Sequence, residues 1–342
     1  MTLKKIGEFG FIKKISRECL IRPESIIKAI GDDAAAFTTD PTRISLITTD
    51  LLVERIHFLR NAISGFDLGY KSLAVNLSDI AAMGGTARES FVSIAIPEDC
   101  PLDYLEAVYD GMKDLASQFK VNILGGDTTS SKVDLIINVV VHGTIAREEM
   151  LCRDAARPGD IIYTTGYLGD SKAGLHLILN NFPVDSDEWR SLLQAHRRPV
   201  PHLKEGRFLA QQPAVKSAID ISDGLSSDLG HIVEQSGVGA VLYADKIPVS
   251  ENLKIFCRQF NFDPVEYALS GGEDYTLLCT VSTDKAEAIA ENFEIEFNRP
   301  LFRVGEIAAG KEMKLNYPDG SSTSIEPTGW NHFKDTERDS GI

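Results

Sequence analysis

The sequence has no run of lysines and arginines, no apolar stretch long enough to span a bilayer, and no CxxC pair among its five cysteines. Its 342 residues include 35 Lys and Arg against 50 Asp and Glu, so the formal net charge is −15. Such a surface would repel nucleic-acid phosphates and anionic lipid. The first residues lack the apolar core of a signal peptide, and scattered cysteines in odd number fit a reducing compartment. We therefore expect a soluble, cytoplasmic protein that binds neither nucleic acid nor membrane.

The common catalytic motifs are also absent. The sequence contains no GxxxxGK[ST] phosphate loop, no GxGxxG after a strand, no GxSxG elbow and no HExxH. Hydrophobic residues make up 43% and charged residues 25%, which is an ordinary globular balance. At about 150 residues per domain, the length predicts two domains or one large one.

Strand-like runs alternate with helical patterns along most of the chain. β-Branched runs predict strands over 44–49, 91–96, 135–145, 161–165 and 218–221. Apolar stripes predict helices over 67–85, 102–119, from about 169, and near 201–211. In the first helix we expect Asp67 to act as the cap and Gly84 with Gly85 to end it. The pattern predicts an α/β or α+β chain in two halves, with domain limits of 1–148 and 149–333 and a polar tail over 334–342.

Aspartates beside glycine or hydroxyl residues are the most unusual feature of the sequence. They occur at the ends of predicted elements, in GDDAAAF (Asp32, Asp33), TTDLL (Asp50), NLSDIAAMGG (Asp79), LGGDTTS (Asp127) and AIDISDGLSSDLGH (Asp220, Asp223). Each alone is most simply a turn residue or helix cap. If several converge, each pair at about 4 Å would repel by about 4 kcal/mol at an effective dielectric near 20, so convergence would require cations. Ligands that are all oxygen suit Mg²⁺, whose shell is often completed by substrate phosphates.

Two further patterns leave structural and functional interpretations open. Paired glycines precede acidic residues at 125–127 and 271–274, where backbone amides could approach phosphate oxygens or simply form tight turns. Asn76 and Asp79 are three residues apart on one predicted helix face, which suits a polar surface as well as a ligand site.

Seven motifs in a fixed order resemble those of the thiamine-monophosphate kinase family, within the aminoimidazole ribonucleotide synthetase superfamily. They are GDDAA, TTDLLVExxHF, KxLAVNLSDIAAMGG, LGGDTT, RPGDxIYxTGxLGxSxAGL, AIDISDGLxSDLGHI and ALSGGEDYxLL, and the resemblance covers residues 7–333. It implies a two-domain α/β (α+β) fold and a homodimer in which the N-terminal sheets of two subunits form a barrel. It implies that the N-terminal domain binds ATP and Mg²⁺, and that thiamine monophosphate and ATP give thiamine diphosphate and ADP with several Mg²⁺ ions.

The resemblance also implies roles for individual residues. The Mg²⁺ ligands would be Asp33, Thr48, Thr49, Asp50, Asp79, Asp127, Asp220 and Asp223. The nucleotide contacts would be Tyr109, Gly126, Asp127, Arg153 and Ser222, and the thiamine-phosphate contacts would be His57, Glu273 and Trp330. Among these, catalysis would depend most on Asp50, Asp127 and Arg153. The acceptor phosphate is mostly a dianion at neutral pH because its second pKa is about 6, so the reaction needs no strong general base.

Three positions depart from the family pattern. Arg55 stands where the family usually has a small residue, His202 replaces a common Arg, and Trp330 occupies a position that is often Tyr. Trp330 keeps an aromatic face for a cationic ring. Arg55 either changes the charge of the substrate pocket or points outward.

Two alternative functions remain open. Another ATP-using enzyme of the superfamily, such as selenophosphate synthetase or aminoimidazole ribonucleotide synthetase, is disfavoured by the SGGEDY and GWNHF segments and by Cys19, which precedes an IRPES turn. A non-catalytic nucleotide- or metal-binding paralogue would not need the complete set of matched aspartates.

Overall fold

The computed structural model describes residue 15 and residues 17–28, 36–37, 43–182 and 186–326. It divides into two compact units, Met1–Cys152 with Arg197–Val215, and Arg153–His196 with Lys216–Ile342. The single boundary at 148–149 stays a prediction, and the expected tail over 334–342 lies outside the described residues. Among the described residues, no helix is both long and apolar enough to cross a membrane.

Strands and helices alternate along the described chain. The strands are β1 (Ile26–Lys28), β2 (Ala36–Phe37), β3 (Ile44–Val53), β4 (Thr86–Pro97), β5 (Asn122–Ser131), β6 (Ile136–Ile145), β7 (Ile161–Thr164), β8 (Val215–Asp220), β9 (Gly239–Tyr243), β10 (Leu277–Val281), β11 (Phe302–Ala308), β12 (Met313–Asn316) and β13 (Ser322–Ser324). The α-helices are α1 (Gly65–Ala82), α2 (Leu102–Phe119), α3 (Asp170–Leu179), α4 (Asp187–Arg197), α5 (Leu203–Ala210), α6 (Leu225–Ser236), α7 (Glu251–Phe260), α8 (Pro264–Ser270) and α9 (Ala286–Phe297). The mixed α/β class expected from the sequence is confirmed.

The first unit is built on a four-stranded sheet in the order β3-β6-β4-β5. A separate two-stranded sheet, β1-β2, precedes it in the sequence. The β4–β5 pair is parallel, and β6 pairs antiparallel with β3 and β4. Helices α1 and α2 pack so closely that a Cβ at Gly69 would lie 1.7 Å from the carbonyl oxygen of Val108, and the absence of a side chain at Gly69 allows this approach. Helix α1 is therefore buried on most of its surface and forms the core of this unit.

The start of α1 corrects one expectation. The hydroxyl oxygen of Ser64 accepts a hydrogen bond from the amide of Asp67 at 3.0 Å, so Ser64 is the N-cap and Asp67 lies in the first turn. Serine and aspartate are both preferred N-cap residues, and the cap here is the serine that directly precedes Gly65, the first residue of the helix. The predicted helix over 102–119 is confirmed at both ends.

Two strands of this unit differ from the expectation in ways that matter for function. The strand predicted over 44–49 continues to Val53, so Asp50 lies inside β3 rather than after it. The LGGDTT motif, considered as a turn, lies inside β5, where Leu124 is an extra residue in the pairing with β4. Gly126 has φ +150°, and a Cβ there would lie 1.7 Å from the carbonyl oxygen of Val92, so only glycine fits this close approach.

The second unit is built on a seven-stranded sheet in the order β13-β12-β9-β11-β7-β10-β8. Strand β12 pairs parallel with β9, whereas β7 pairs antiparallel with β10 and β11. Its core includes Leu225 and Leu229 of α6 with Leu278 and Val304 of the sheet, all 0% exposed. A second cluster joins α3, α4 and α7 through Leu177, Leu192 and Phe256. The elements predicted near 161–165, 169, 201–211 and 218–221 correspond to β7, α3, α5 and β8.

Candidate functional site

The first unit brings Thr48, Asp50 and Asp79 together. Thr48 and Asp50 are two residues apart on β3 and therefore share a face, while Asp79 lies in the last turn of α1. The hydroxyl of Thr48 donates a hydrogen bond to Oδ2 of Asp79. Burial raises the pKa of Asp50 to about 7, and the negative charge of Asp79 adds to the rise. These two carboxylates cannot both remain ionised at low cost unless a cation lies near them.

A buried amide oxygen lies one helical turn before Asp79. Asn76 is fully buried on α1 and its Nδ2 donates to the carbonyl oxygen of Ser72 at 3.1 Å. Its Oδ1 has no hydrogen-bond partner. An unsatisfied buried acceptor costs about 1–3 kcal/mol, so this oxygen is suited to a cation or a donor that arrives with a ligand.

Thr49 and Asp127 lie on the other face of the same sheet. Asn138 donates from Nδ2 to the Thr49 hydroxyl at 2.9 Å and to the carbonyl oxygen of Asp50 at 3.1 Å. In the strand pairing, Asp127 of β5 lies opposite Ser93, Ser93 lies opposite Asn138, and Asn138 lies opposite Leu51 of β3. Paired residues share a face, so Asp127 lies on the face of Leu51 and Thr49. Because β3 and β5 are the two edges of the sheet, three strand spacings separate Asp127 from β3, or about 14 Å. A single chain therefore does not bring Asp127 to Asp50.

The second unit contains its own group of carboxylates at the start of α6. Asp220 ends β8, Asp223 lies in the turn that follows, and Asp228 lies in the first turn of the helix. Oδ2 of Asp228 accepts hydrogen bonds from the amides of Asp223 and Gly224, both at 3.1 Å. Ligand atoms of Asp223, Asp228 and His231 all lie within 4.8 Å of one another. Burial raises the pKa of Asp228 to about 8, and the charges of Asp220 and Asp223 contribute.

The turn that carries Ser222 is joined to the SGGEDY segment by backbone hydrogen bonds. The amide of Glu273 donates to the carbonyl oxygen of Ser222 at 2.7 Å, and the amide of Tyr275 donates to that of Ile221 at 2.8 Å. Glu273 and Tyr275 have φ values of +64° and +52°, which are strained for residues other than glycine. A strained backbone conformation persists only where the surrounding contacts hold it. Such conformations cluster at functional sites.

Asp274 anchors this segment to α3. Its Oδ2 accepts a hydrogen bond of 2.7 Å from the amide of Gly169, at the start of the helix. Burial raises the pKa of Asp274 well above its ordinary value. Asp274 thus fixes the backbone from which the Glu273 side chain extends.

The chain matches known proteins along most of its length. Residues 31–145 match the family model described as AIR synthase related protein, N-terminal domain, and residues 157–318 match the corresponding C-terminal domain. A thiamine-monophosphate kinase of Aquifex aeolicus (strain VF5) is 35% identical over 337 residues, which cover 97% of this chain and 100% of the relative. The chain belongs to the thiamine-monophosphate kinase family.

Solved structures of this family share the fold. The thiamine-monophosphate kinase of Stenotrophomonas maltophilia K279a superposes with a TM-score of 0.82 at 33% identity, covering 93% of this chain and 98% of that one. A structure described as AaThiL complexed with AMPPCP and TMP superposes with a TM-score of 0.77 at 34% identity, covering 97% of this chain and 99% of that one.

The remaining residues that the kinase family implies are placed as follows. Tyr109 is 3% exposed on α2, and Arg153 is exposed with its carbonyl oxygen bonded to the hydroxyl of Ser236 at 3.0 Å. His57 lies in the turn after β3, where its Nδ1 accepts a hydrogen bond of 3.0 Å from the amide of Val53. The implied residues Asp33 and Trp330 lie outside the described residues, as does Asp32.

Two departures from the family pattern have simple structural outcomes. The side chain of Arg55 is 59% exposed and forms an ion pair with Asp134, so it points outward. His202 is buried at the start of α5.

Asp228 and His196 are functional candidates that the sequence reasoning missed. An acidic residue in the first turn of a helix is ordinary, so Asp228 gave no separate signal in the SSDLGH segment. His196 of α4 lies beside Glu273, with 3.2 Å between Nδ1 and Oε2, across a long span of sequence. Only the folded chain places these side chains next to residues with implied roles.

Proposed function

We propose that this chain transfers the γ-phosphoryl group of ATP to thiamine monophosphate, giving ADP and thiamine diphosphate. The observation that carries this proposal is the full-length match to a relative described in complex with AMPPCP, an ATP analogue, and TMP. The carboxylate groups around Asp50 and Asp228 support it, because phosphoryl transfer between two anions depends on cations.

We infer that the cations are Mg²⁺ ions, and three observations in the chain fit them. The donor set is all oxygen except for His231, the pKa values of Asp50 and Asp228 are raised by burial and neighbouring negative charge, and Oδ1 of Asn76 is an unsatisfied buried acceptor. The residues that would hold the ions are Asp33, Thr48, Thr49, Asp50, Asp79, Asp127, Asp220 and Asp223. When bound, Mg²⁺ neutralises the charge of the reacting phosphates.

The chain's own residues then have to bind and orient two substrates. The acceptor phosphate is already mostly dianionic at neutral pH, so no side chain needs to remove a proton from it. Arg153 carries a permanent charge in an exposed position from which it can pair with a phosphate. Tyr109, Gly126, Asp127 and Ser222 would complete the nucleotide contacts. The Glu273 carboxylate would face the cationic ring of the acceptor, with His57 and Trp330 as the other substrate contacts.

We propose that the working enzyme is a homodimer with the two N-terminal sheets closed into a barrel. The face of β3 that carries Thr49 is apolar and open among the described residues, with Ile47 73% and Leu51 51% exposed. Closing two such sheets would place β5 of one chain beside β3 of its partner, because these are the two edge strands. The dimer would thereby bring Asp127 of one chain to the edge of the other chain's β3 that carries Thr49, with Asp50 as the next residue along the strand.

The cytoplasm is the proposed place of action. All five cysteines lie in the described residues and no two of them form a disulfide, which fits a reducing compartment. ATP as co-substrate fits the same location.

The metal proposal predicts a pH-dependent effect of Mg²⁺ on stability. The folded-state pKa values of Asp50 and Asp228 lie above the ordinary value of 3.8, so metal-free protein loses stability as the pH rises from about 4 to about 7 or 8, where both carboxyls are ionised in the folded state too. Bound Mg²⁺ favours the ionised carboxylates and offsets this loss. The melting temperature should therefore rise more on adding Mg²⁺ at about pH 8.5 than at about pH 5.5, compared with EDTA at matched ionic strength. Equal shifts at both pH values would contradict the proposed metal sites.

The function itself is tested by acceptor specificity. Purified protein with ATP and Mg²⁺ should form ADP and thiamine diphosphate when thiamine monophosphate is supplied, and neither product with free thiamine or with no acceptor. Chromatographic separation of the thiamine species measures this directly. No thiamine-monophosphate-dependent ADP formation over a range of Mg²⁺ would overturn the proposal.

A further inference from the structure

His196 occupies a position next to Glu273 that no family motif assigns. Its Nδ1 lies 3.2 Å from Oε2 of Glu273 and 3.1 Å from the hydroxyl oxygen of Ser171. Ser171 is 1% exposed on α3 and His196 is 6% exposed on α4, whereas the side chain of Glu273 is 27% exposed. The buried ring of His196, itself in contact with buried Ser171, thus lies against one oxygen of a partly exposed carboxylate.

We propose that His196 is a positioning residue that holds the Glu273 carboxylate in the orientation that receives the cationic ring of thiamine monophosphate. This inference rests on the proposed function. It extends that function because it explains what orients Glu273 and names His196 as a residue that controls the affinity for thiamine monophosphate.

The arrangement of protons follows from the partners. An ionised carboxylate can only accept hydrogen bonds, so Nδ1 of His196 must carry the proton that lies between it and Oε2. With the proton on Nδ1, the hydroxyl oxygen of Ser171 at 3.1 Å is a second acceptor for the same N–H and helps to fix the ring. The result is a directional contact from a rigid, buried ring to a flexible side chain.

The backbone alone does not give this orientation. The amide of Glu273 is tied to the carbonyl oxygen of Ser222, and its φ of +64° fixes where the side chain begins. Beyond that point the Glu273 side chain has several rotatable bonds, and its freedom would have to be lost when the substrate binds. The contact with His196 removes part of that freedom before the substrate binds. Removing the contact should therefore weaken binding of thiamine monophosphate and leave binding of ATP unchanged.

The test compares His196→Ala with His196→Asn. Asparagine places an N–H near the position of Nδ1, whereas alanine removes the donor. We expect His196→Ala to raise the KM for thiamine monophosphate by about 5- to 20-fold, with kcat and the KM for ATP within about twofold of wild type. His196→Asn should restore the KM to within about twofold of wild type. Adding His196→Ala to Glu273→Gln should raise the KM no further, because the two residues act as a unit.

His176 provides the matched control. It lies in the same unit, and its Nδ1 is 3.0 Å from the hydroxyl of Tyr267 in the aromatic cluster. His176→Ala should change the melting temperature but not the KM for thiamine monophosphate. An unchanged KM in His196→Ala, an equal rise in the KM for ATP, or a folded His196→Asn that fails to restore the KM would overturn the proposal. A wild-type chain that does not turn over thiamine monophosphate would instead contradict the proposed function.

Discussion

Replacing Asp50 by asparagine is expected to lower turnover by about 100- to 1,000-fold, which is comparable to the cost of removing one preorganised hydrogen-bond donor from an active site. The same change should make the metal-free protein more stable above neutral pH. Burial and the charge of Asp79 raise the pKa of Asp50 to about 7, so its ionised form is disfavoured in the folded state. Each kcal/mol gained would raise the melting temperature by about 2–4 °C. Steady-state kinetics and thermal unfolding in EDTA measure the two effects.

Asp110 on α2 is the control for this change. Its side chain is 66% exposed and forms a surface ion pair of 3.9 Å with Lys113, so Asp110→Asn should leave turnover and stability near wild type. A near-normal rate for Asp50→Asn would refute its role as a metal ligand. Loss of turnover accompanied by a lower melting temperature would instead show that Asp50 supports the fold.

Replacing Asp127 by asparagine should lower turnover to a similar extent, about 100- to 1,000-fold, but without a gain in stability. Asp127 is exposed on the edge strand β5, so the free energy of unfolding contains no comparable burial penalty. The strand order separates it from Asp50 within one chain, and the proposed barrel would supply it from the partner.

A mixture of the two inactive variants tests that arrangement. If Asp50 and Asp127 act in one site from different chains, a dimer of one Asp50→Asn chain and one Asp127→Asn chain keeps one intact site of two. Half of randomly mixed dimers are of this kind, so subunit exchange should restore about a quarter of wild-type activity. A mixture as inactive as its parents, after exchange shown by tagged chains, would place both residues in the site of a single chain.

The sequence predicted most of the elements because their apolar patterns are regular. Helix α2 has the predicted ends, and β3 and β6 have the expected β-branched runs. Strand β5 was missed because Gly125, Gly126 and Asp127 are typical of turns and rare in strands. At this edge, a bulge and the close approach to Val92 require glycine, so tertiary packing overrides the local preference.

Within the candidate site, the sequence predicted only the residues that belong to recognisable motifs. The resemblance singled out Asp50, Asp79, Asp220 and Asp223, and the structure brings the first pair together in one unit and the second pair together with Asp228 in the other. The contacts of Asp228 with the amides of Asp223 and Gly224, and of His196 with Glu273, have no local pattern. They depend on the geometry of a helix start and on long-range packing, which a single sequence does not reveal.

Label transfer from γ-³²P-ATP tests the central claim most directly. In the presence of Mg²⁺ and thiamine monophosphate, the label should appear in thiamine diphosphate with one equivalent transferred for each ADP formed, and EDTA should abolish the transfer. Asp50→Asn should show the same products at a greatly reduced rate. Label released only as inorganic phosphate, or no label in thiamine diphosphate at any Mg²⁺ concentration, would contradict the account.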